Sequence, residues 1–168
     1  KRQMFSRVVF ETIAFGVPED EATGLSIRAT PVDAWSRVAP APVWMMPGCD
    51  YSGCAQFVAA SSSNYTDDSR SGSDIKYVIV HTVQGSYSSC INWFQNSSAG
   101  VSAHYVVQSS DGEVTQMVAE EDIGWHAGNW SYNTESVGIE HEGYVDAPDT
   151  WYTDAMYQGS AMLTADII

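Results

Sequence analysis

The sequence predicts a mixed α/β fold, a central mixed β-sheet flanked by helices. Three observations predict it. The run Ile75-Lys76-Tyr77-Val78-Ile79-Val80-His81 is β-branched and apolar on both faces, as a strand in the middle of a sheet requires. A segment with helical spacing follows it directly. Val101 to Gln108 and Glu113 to Val118 then read as two strands joined by an Asp111-Gly112 turn. With a further strand and a last helix, the order β-α-β-β-β-α gives a mixed sheet with helices packed on it.

The elements follow in chain order. In residues 1–24, Met4, Phe5, Val8, Val9, Thr12 and Ile13 lie at helical spacing until Gly16 and Pro18, so one helix is expected there. Residues 25–74 are irregular, broken by Pro31, Pro40, Pro42, Pro47 and Gly48. Trp35, Trp44 and Phe57 are out of place in a free linker, so residues 1–70 read as an N-terminal arm or the remnant of an upstream domain. Ser86 is placed to cap a helix whose apolar face is Tyr87, Cys90, Ile91 and Phe94, and Asn96 to Gly100 ends it. Ser136 to Glu142 reads as a strand. Thr153 caps the last helix, with Asp154 at its positive end and Met156, Gly159, Leu163 and Ile167 on its inner face. No stop signal follows that helix before Ile168.

Charge and composition narrow the function classes. The chain has 168 residues with 7 Lys+Arg against 21 Asp+Glu, a formal charge of −14. Phosphate binding needs clustered cations, so a generic nucleic-acid binder is excluded, and docking on anionic lipid is disfavoured. No apolar run approaches the roughly 20 residues of a membrane span. The 6 Trp and 9 Tyr suit contact with carbohydrate or peptide. Of the three cysteines, Cys49 and Cys54 are spaced for zinc ligation or a small disulfide loop, the latter favoured in a secreted protein; Cys90 is left over.

Several side chains are candidates for chemistry. His81 ends a buried strand, where ligands gather in open α/β sheets, and a neutral imidazole there could ligate zinc. One histidine does not make a metal site. Glu140 shares a strand face with Gly138 and Glu142, and His141 lies on the opposite face. A carboxylate beside a residue with no side chain has room for water or substrate, and partial burial would raise its pKa toward that of a general base. The bland alternative is a solvated face of an edge strand, which Glu142 is expected to fit. Trp125-His126-Ala127-Gly128-Asn129-Trp130 could form a platform for a sugar ring or peptide, or simply a core turn. His104 shares a face with Val106 and reads as a hydrogen-bonded core histidine. There is no Gly-rich phosphate loop, no Gly-x-Ser-x-Gly elbow and no His-Glu-x-x-His.

Taken together, six stretches in order resemble the zinc-dependent N-acetylmuramoyl-L-alanine amidases of the peptidoglycan-recognition, or type 2 amidase, family. They are Tyr77-Val78-Ile79-Val80-His81-Thr82; Val101-Ser102-Ala103-His104-Tyr105-Val106-Val107; Asp111-Gly112-Glu113-Val114 with Gln116; Trp125-His126-Ala127-Gly128; Asn133 leading into Ser136-Val137-Gly138-Ile139-Glu140 with Glu142-Gly143; and Tyr152-Thr153-Asp154-Ala155-Met156-Tyr157. The resemblance implies a peptidoglycan hydrolase that cuts the amide between N-acetylmuramic acid and the L-alanine of the stem peptide by zinc-activated water. It implies His81 as a zinc ligand, Glu140 as the catalytic acid/base, and Thr82, Trp125 and His126 as substrate-binding residues. The implied partner is peptidoglycan or muropeptide, and the implied location is secreted, periplasmic or associated with the cell wall. The family completes its site with a Gly-His pair and a Lys-x-Asp-Pro-Gly segment, absent before Ile168. The expectation is therefore an amidase-like catalytic domain over residues 71–168 that is incomplete at its C-terminus, with the remaining zinc ligands beyond it. The competing expectation is a non-catalytic module that binds peptidoglycan or muropeptide.

Overall fold

The computed structural model describes residues 8–10 and 48–168. Eight strands and four helices are present among them: β1 (Val8–Phe10), β2 (Gln56–Phe57), β3 (Tyr65–Thr66), β4 (Tyr77–Thr82), α1 (Tyr87–Gln95), β5 (Tyr105–Val107), β6 (Val114–Gln116), β7 (Ile123–Gly124), α2 (Trp130–Glu135), β8 (Ser136–His141), α3 (Pro148–Trp151) and α4 (Asp154–Ile167). Six strands form one mixed sheet in the order β1-β4-β8-β5-β6-β2, and β3 pairs with β7 in a small separate sheet. In the large sheet only the β5–β6 pair is antiparallel. The fold class is the mixed α/β arrangement that the element order predicts.

Each face of the sheet carries a helix because the strands alternate. On one face Val106 and Met117 pack with Tyr87, Cys90 and Phe94 of α1. On the other, Val78, Val137, Ile139, Tyr105 and Val107 pack with Met156 and Leu163 of α4. Both helices begin as their sequences dictate. The Ser86 hydroxyl accepts from the Ser89 amide, and the Thr153 hydroxyl accepts from the Met156 amide. Helix α4 lies against the Asp111-Gly112 turn so closely that a Cβ on Gly159 would stand 2.3 Å from the Gly112 carbonyl oxygen. Gly112 itself has φ +74°, the left-handed conformation that glycine adopts without steric cost.

The structure corrects the sequence reading in three places. Val8–Phe10 is a strand, not part of a helix; it runs parallel to β4, Val8 opposite Val78 and Phe10 opposite Val80. Two valines and a phenylalanine suit a strand, and β4 offers their backbone groups partners that helical spacing alone does not. The rest of the expected N-terminal helix, with Trp35 and Trp44, lies outside the described residues. Second, β8 is a central strand between β4 and β5, not an edge. Third, Glu142 is buried, not solvated. Its carboxylate accepts from the Tyr87 amide at 2.9 Å and the Ser109 amide at 2.8 Å, so it sits at the positive end of α1 and is held there by charge and dipole.

Residues 48–70 pack on this core. Here β2 extends the sheet beside β6, and the Asn64 side chain donates to the Phe94 and Asn96 carbonyls at the end of α1. Cys49 and Cys54 are joined by a disulfide, the favoured of the two readings that their spacing allows, and Cys90 is a buried free thiol. Among the described residues no helix is long and apolar enough to cross a membrane.

Candidate active site

Strand pairing builds the site. In the parallel β4–β8 register His81 stands opposite Glu140, and Val106 of β5 is opposite Glu140 on the other side. Paired residues in a ladder share a face, so His81 and Glu140 project together toward the α1 side of the sheet. Both are almost fully covered, His81 at 1% and Glu140 at 3% exposure. Glu140 lines a cleft of about 170 Å³ whose walls include Phe94, Ser102, Trp125, His126 and Asn133, with Gly100 and Gly128 also bordering it. Its Oε2 has no hydrogen-bond partner among the described residues. A carboxylate loses the stabilisation of water when buried, so its pKa is pushed up to about 8. At neutral pH the group is mainly a protonated acid in a largely apolar cleft.

His126 occupies the space that the sequence leaves beside Gly138. A Cβ at Gly138 would lie 2.4 Å from the His126 ring. The vacancy next to Glu140 is therefore filled by an imidazole, where the sequence reading had left room for water or substrate. The orientation of that ring follows from its partners. The Ser136 hydroxyl donates to the Tyr132 carbonyl at 2.5 Å, so it acts as acceptor toward His126 Nε2 at 3.2 Å. His126 then carries its proton on Nε2, and its Nδ1 accepts from His81 Nε2 at 3.0 Å. His81 is left with its proton on Nε2 and its lone pair on Nδ1. Burial holds His126 well below the ordinary imidazole range, with the neighbouring His81 acting in the same direction.

The backbone around His126 is fixed by Asn133, which the sequence reading placed in a motif without assigning it a role. Its Oδ1 accepts from the His126 amide at 3.2 Å and the Ala127 amide at 2.8 Å. Asn133 sits on α2, a six-residue helix capped by the Asn129 side chain, which accepts from the Ser131 and Tyr132 amides. An Asn at that position is a helix-start signal and was visible in the sequence. Trp125 forms part of the cleft wall and its indole N–H donates to Thr66 Oγ1 at 3.0 Å. Trp130 is largely exposed outside the cleft walls.

Thr82 and His141 are separated from this cluster, whereas His104 packs against the His126 ring. Thr82 follows His81 on the strand and so points to the opposite face, where its hydroxyl meets the Tyr152 hydroxyl at 2.8 Å. His141, also on that face, bonds Ser160 Oγ at 2.7 Å, and burial pushes its pKa down to about 4. His104 is the buried, hydrogen-bonded histidine that the sequence suggests. Its Nδ1 accepts from the Gly138 amide at 3.0 Å, and burial with the nearby Arg70 charge lowers its pKa to about 3.

Metal ligation can be judged from the donor set. Among the described residues no group of three or more His, Cys, Asp or Glu side chains is placed to hold a metal ion. His126 spends both of its nitrogens on His81 and Ser136 and so offers none to a metal ion. A catalytic zinc takes about three protein ligands. The described residues therefore do not fit zinc by themselves.

Comparison with known proteins now bears on this geometry. The chain is 50% identical over 108 residues to N-acetylmuramoyl-L-alanine amidase A of Achromobacter lyticus, a match over 64% of this chain and 58% of that protein. It is 44% identical over 75 residues to the 1,6-anhydro-N-acetylmuramyl-L-alanine amidase AmpD of Citrobacter freundii, over 40% of this chain and 37% of the relative. The chain thus spans less than two thirds of the length of these curated relatives. Among solved structures, the catalytic domain of XlyA aligns with a TM-score of 0.47 at 21% identity, over 67% of this chain and 76% of that one. The sequence model of the N-acetylmuramoyl-L-alanine amidase family, Amidase_2, matches residues 71–168, more than half of the chain and every residue of the His81–Glu140 cluster. The chain belongs to that amidase family.

Proposed function

We propose that this chain acts in peptidoglycan hydrolysis and carries the proton-transfer carboxylate for cleaving the amide between N-acetylmuramic acid and L-alanine. The observation that carries the reading is Glu140, a buried carboxyl in a cleft wall, in register with His81 and raised to about 8. Amide hydrolysis needs one group that accepts a proton from the attacking water and delivers one to the departing nitrogen. A carboxyl whose pKa lies near neutrality serves both directions, because neither form is strongly favoured. The apolar walls, Phe94 and Trp125 among them, would receive the uncharged part of the substrate and exclude bulk water, which keeps the carboxyl protonated near neutral pH.

Zinc is the cofactor that the family resemblance implies, with His81 as the ligand supplied by the described residues. When bound, such an ion polarises an amide carbonyl and activates water. Location outside the cytosol, secreted or periplasmic, is part of the same proposal; the Cys49–Cys54 disulfide supports it, since such bonds persist in oxidising compartments. The test of the cofactor is incubation of the protein with an N-acetylmuramoyl-L-alanyl peptide, followed by mass spectrometry. Cleavage that stops in chelator and returns on adding zinc is expected. Cleavage indifferent to chelator would remove zinc from the proposal, and binding without cleavage under all conditions would favour the non-catalytic muropeptide-binding module.

A further inference from the structure

One cation enters the interior behind the cleft, and it comes from just before the family-matched region. Arg70 is half-buried, and its Nε and Nη1 donate to three backbone carbonyls. Nε donates to the Glu120 carbonyl at 2.7 Å. Nη1 donates to the Asn133 and Thr134 carbonyls at 3.1 and 3.2 Å, which are backbone acceptors in the last turn of α2. Nη2 lies 2.7 Å from His104 Nε2, which carries the ring proton and faces the Asp122 carbonyl at 3.2 Å, so Arg70 packs against that ring edge without donating to it. Desolvation disfavours the buried charge, while Glu120, Asp68, Asp122 and Asp74 support it.

These contacts converge on His126 from two sides. Through α2, Arg70 steadies Asn133, whose side chain holds the His126 and Ala127 amides. Through His104, which accepts from the Gly138 amide, it abuts the strand position against which the His126 ring is packed. The rings of His104 and His126 stand edge to face, 5.6 Å between centroids. Carbonyls at a helix C-terminus are the natural acceptors for a cation, and only a planar fork reaches three separate chain segments at once.

We propose that Arg70 is a positioning residue for the cleft: its hydrogen bonds lock α2 to the Glu120–Asp122 loop, its head packs against His104, and together these fix the His126 imidazole between His81 and Ser136. The catalytic meaning of this lock rests on the reading of the cleft as an amidase site. The lock itself can be tested without any hydrolysis. The full chain is compared as wild type, Arg70→Ala and Arg70→Lys by nitrogen-15 NMR of the histidine imidazoles, alongside thermal unfolding. In folded Arg70→Ala the His104 and His126 ring resonances should shift or broaden, and added guanidinium ion should restore them. Arg70→Lys should remain folded, yet show the same displacement of His126, because an ammonium cannot span all the acceptors. Muramyl dipeptide should bind roughly tenfold more weakly to either variant, as loss of an outer partner usually costs. Wild-type His126 resonances in either folded variant would overturn the proposal, even if the melting temperature fell. Should Arg70→Ala fail to fold, the Arg70→Lys spectrum decides alone. Displaced imidazoles with no cleavage by the wild type would uphold the lock while refuting the amidase reading.

Discussion

Glu140→Gln should make the metal-free chain more stable than wild type in mildly alkaline buffer, and the advantage should vanish in acid. The native carboxyl titrates at about 8 against an ordinary value of 4.5, and burial is the cause. Below about 4.5 the group is protonated in both folded and unfolded chains and costs nothing. Between about 4.5 and 8 only the folded chain keeps the proton, so stability falls as the pH rises through that window and levels off above it. A shift of this size corresponds to a difference of up to about 5 kcal/mol between the two ends. The buried histidines act in the opposite sense. His104, lowered to about 3, and His141, lowered to about 4, must remain neutral in the fold while unfolded imidazoles gain protons below about 6.5. Their contribution is common to both proteins, so the difference between wild type and variant isolates Glu140. Urea unfolding of both in chelator at pH 5 and pH 9 measures it. Parallel stabilities at the two pH values would mean that Glu140 is solvated.

Gly138→Ala should damage the site more than its single added methyl group suggests. The new Cβ would stand 2.4 Å from one His126 ring atom and 2.6 Å from two others. Gly138 lies in the middle of a central strand whose two neighbours are both hydrogen-bonded, so the backbone has little freedom to yield. The imidazole must leave, and with it go the hydrogen bonds to His81 and Ser136. Overpacking of this kind costs about 1–3 kcal/mol, which lowers Tm by roughly 3–10 °C in a chain of this size. The specific sign is relief by a second change. His126→Ala removes the clashing ring, so the double variant should be more stable than the two single losses added together predict. Strict additivity, or a wild-type Tm for Gly138→Ala, would show that the ring is not held where it is described.

Much of this fold was written in short-range pattern. The apolar run through Val78 to Val80 named the strand that carries His81, and Asp111-Gly112 named the β5–β6 hairpin. The spacing of Tyr87, Cys90 and Phe94 named the buried face of the first helix. Alternation alone separated His141 from Glu140, and the structure keeps them on opposite faces. The misses share a physical origin in partners distant in sequence. Glu142 looks like a surface carboxylate until the chain end of α1, 55 residues away, supplies an amide. Gly138 looks like open space until His126 folds over it. Val8–Phe10 fits a helical spacing until β4 offers an edge. Helix α2 is too short to show an apolar stripe, and only its Asn129 cap announces it. Arg70 gave no signal, since a single arginine in a polar, turn-rich stretch is ordinarily solvated.

The central claim is that Glu140 moves the proton in cleavage of the muramoyl–alanine amide. The most direct measurement is the rate at which a free L-alanine amino terminus appears from an N-acetylmuramoyl-L-alanyl peptide, with wild type and Glu140→Gln compared under identical zinc supply. The amide side chain preserves shape and cannot carry the proton, so the rate should fall by roughly 10²–10⁴-fold while muropeptide binding stays close to wild type. Cleavage by Glu140→Gln at the wild-type rate would contradict the account.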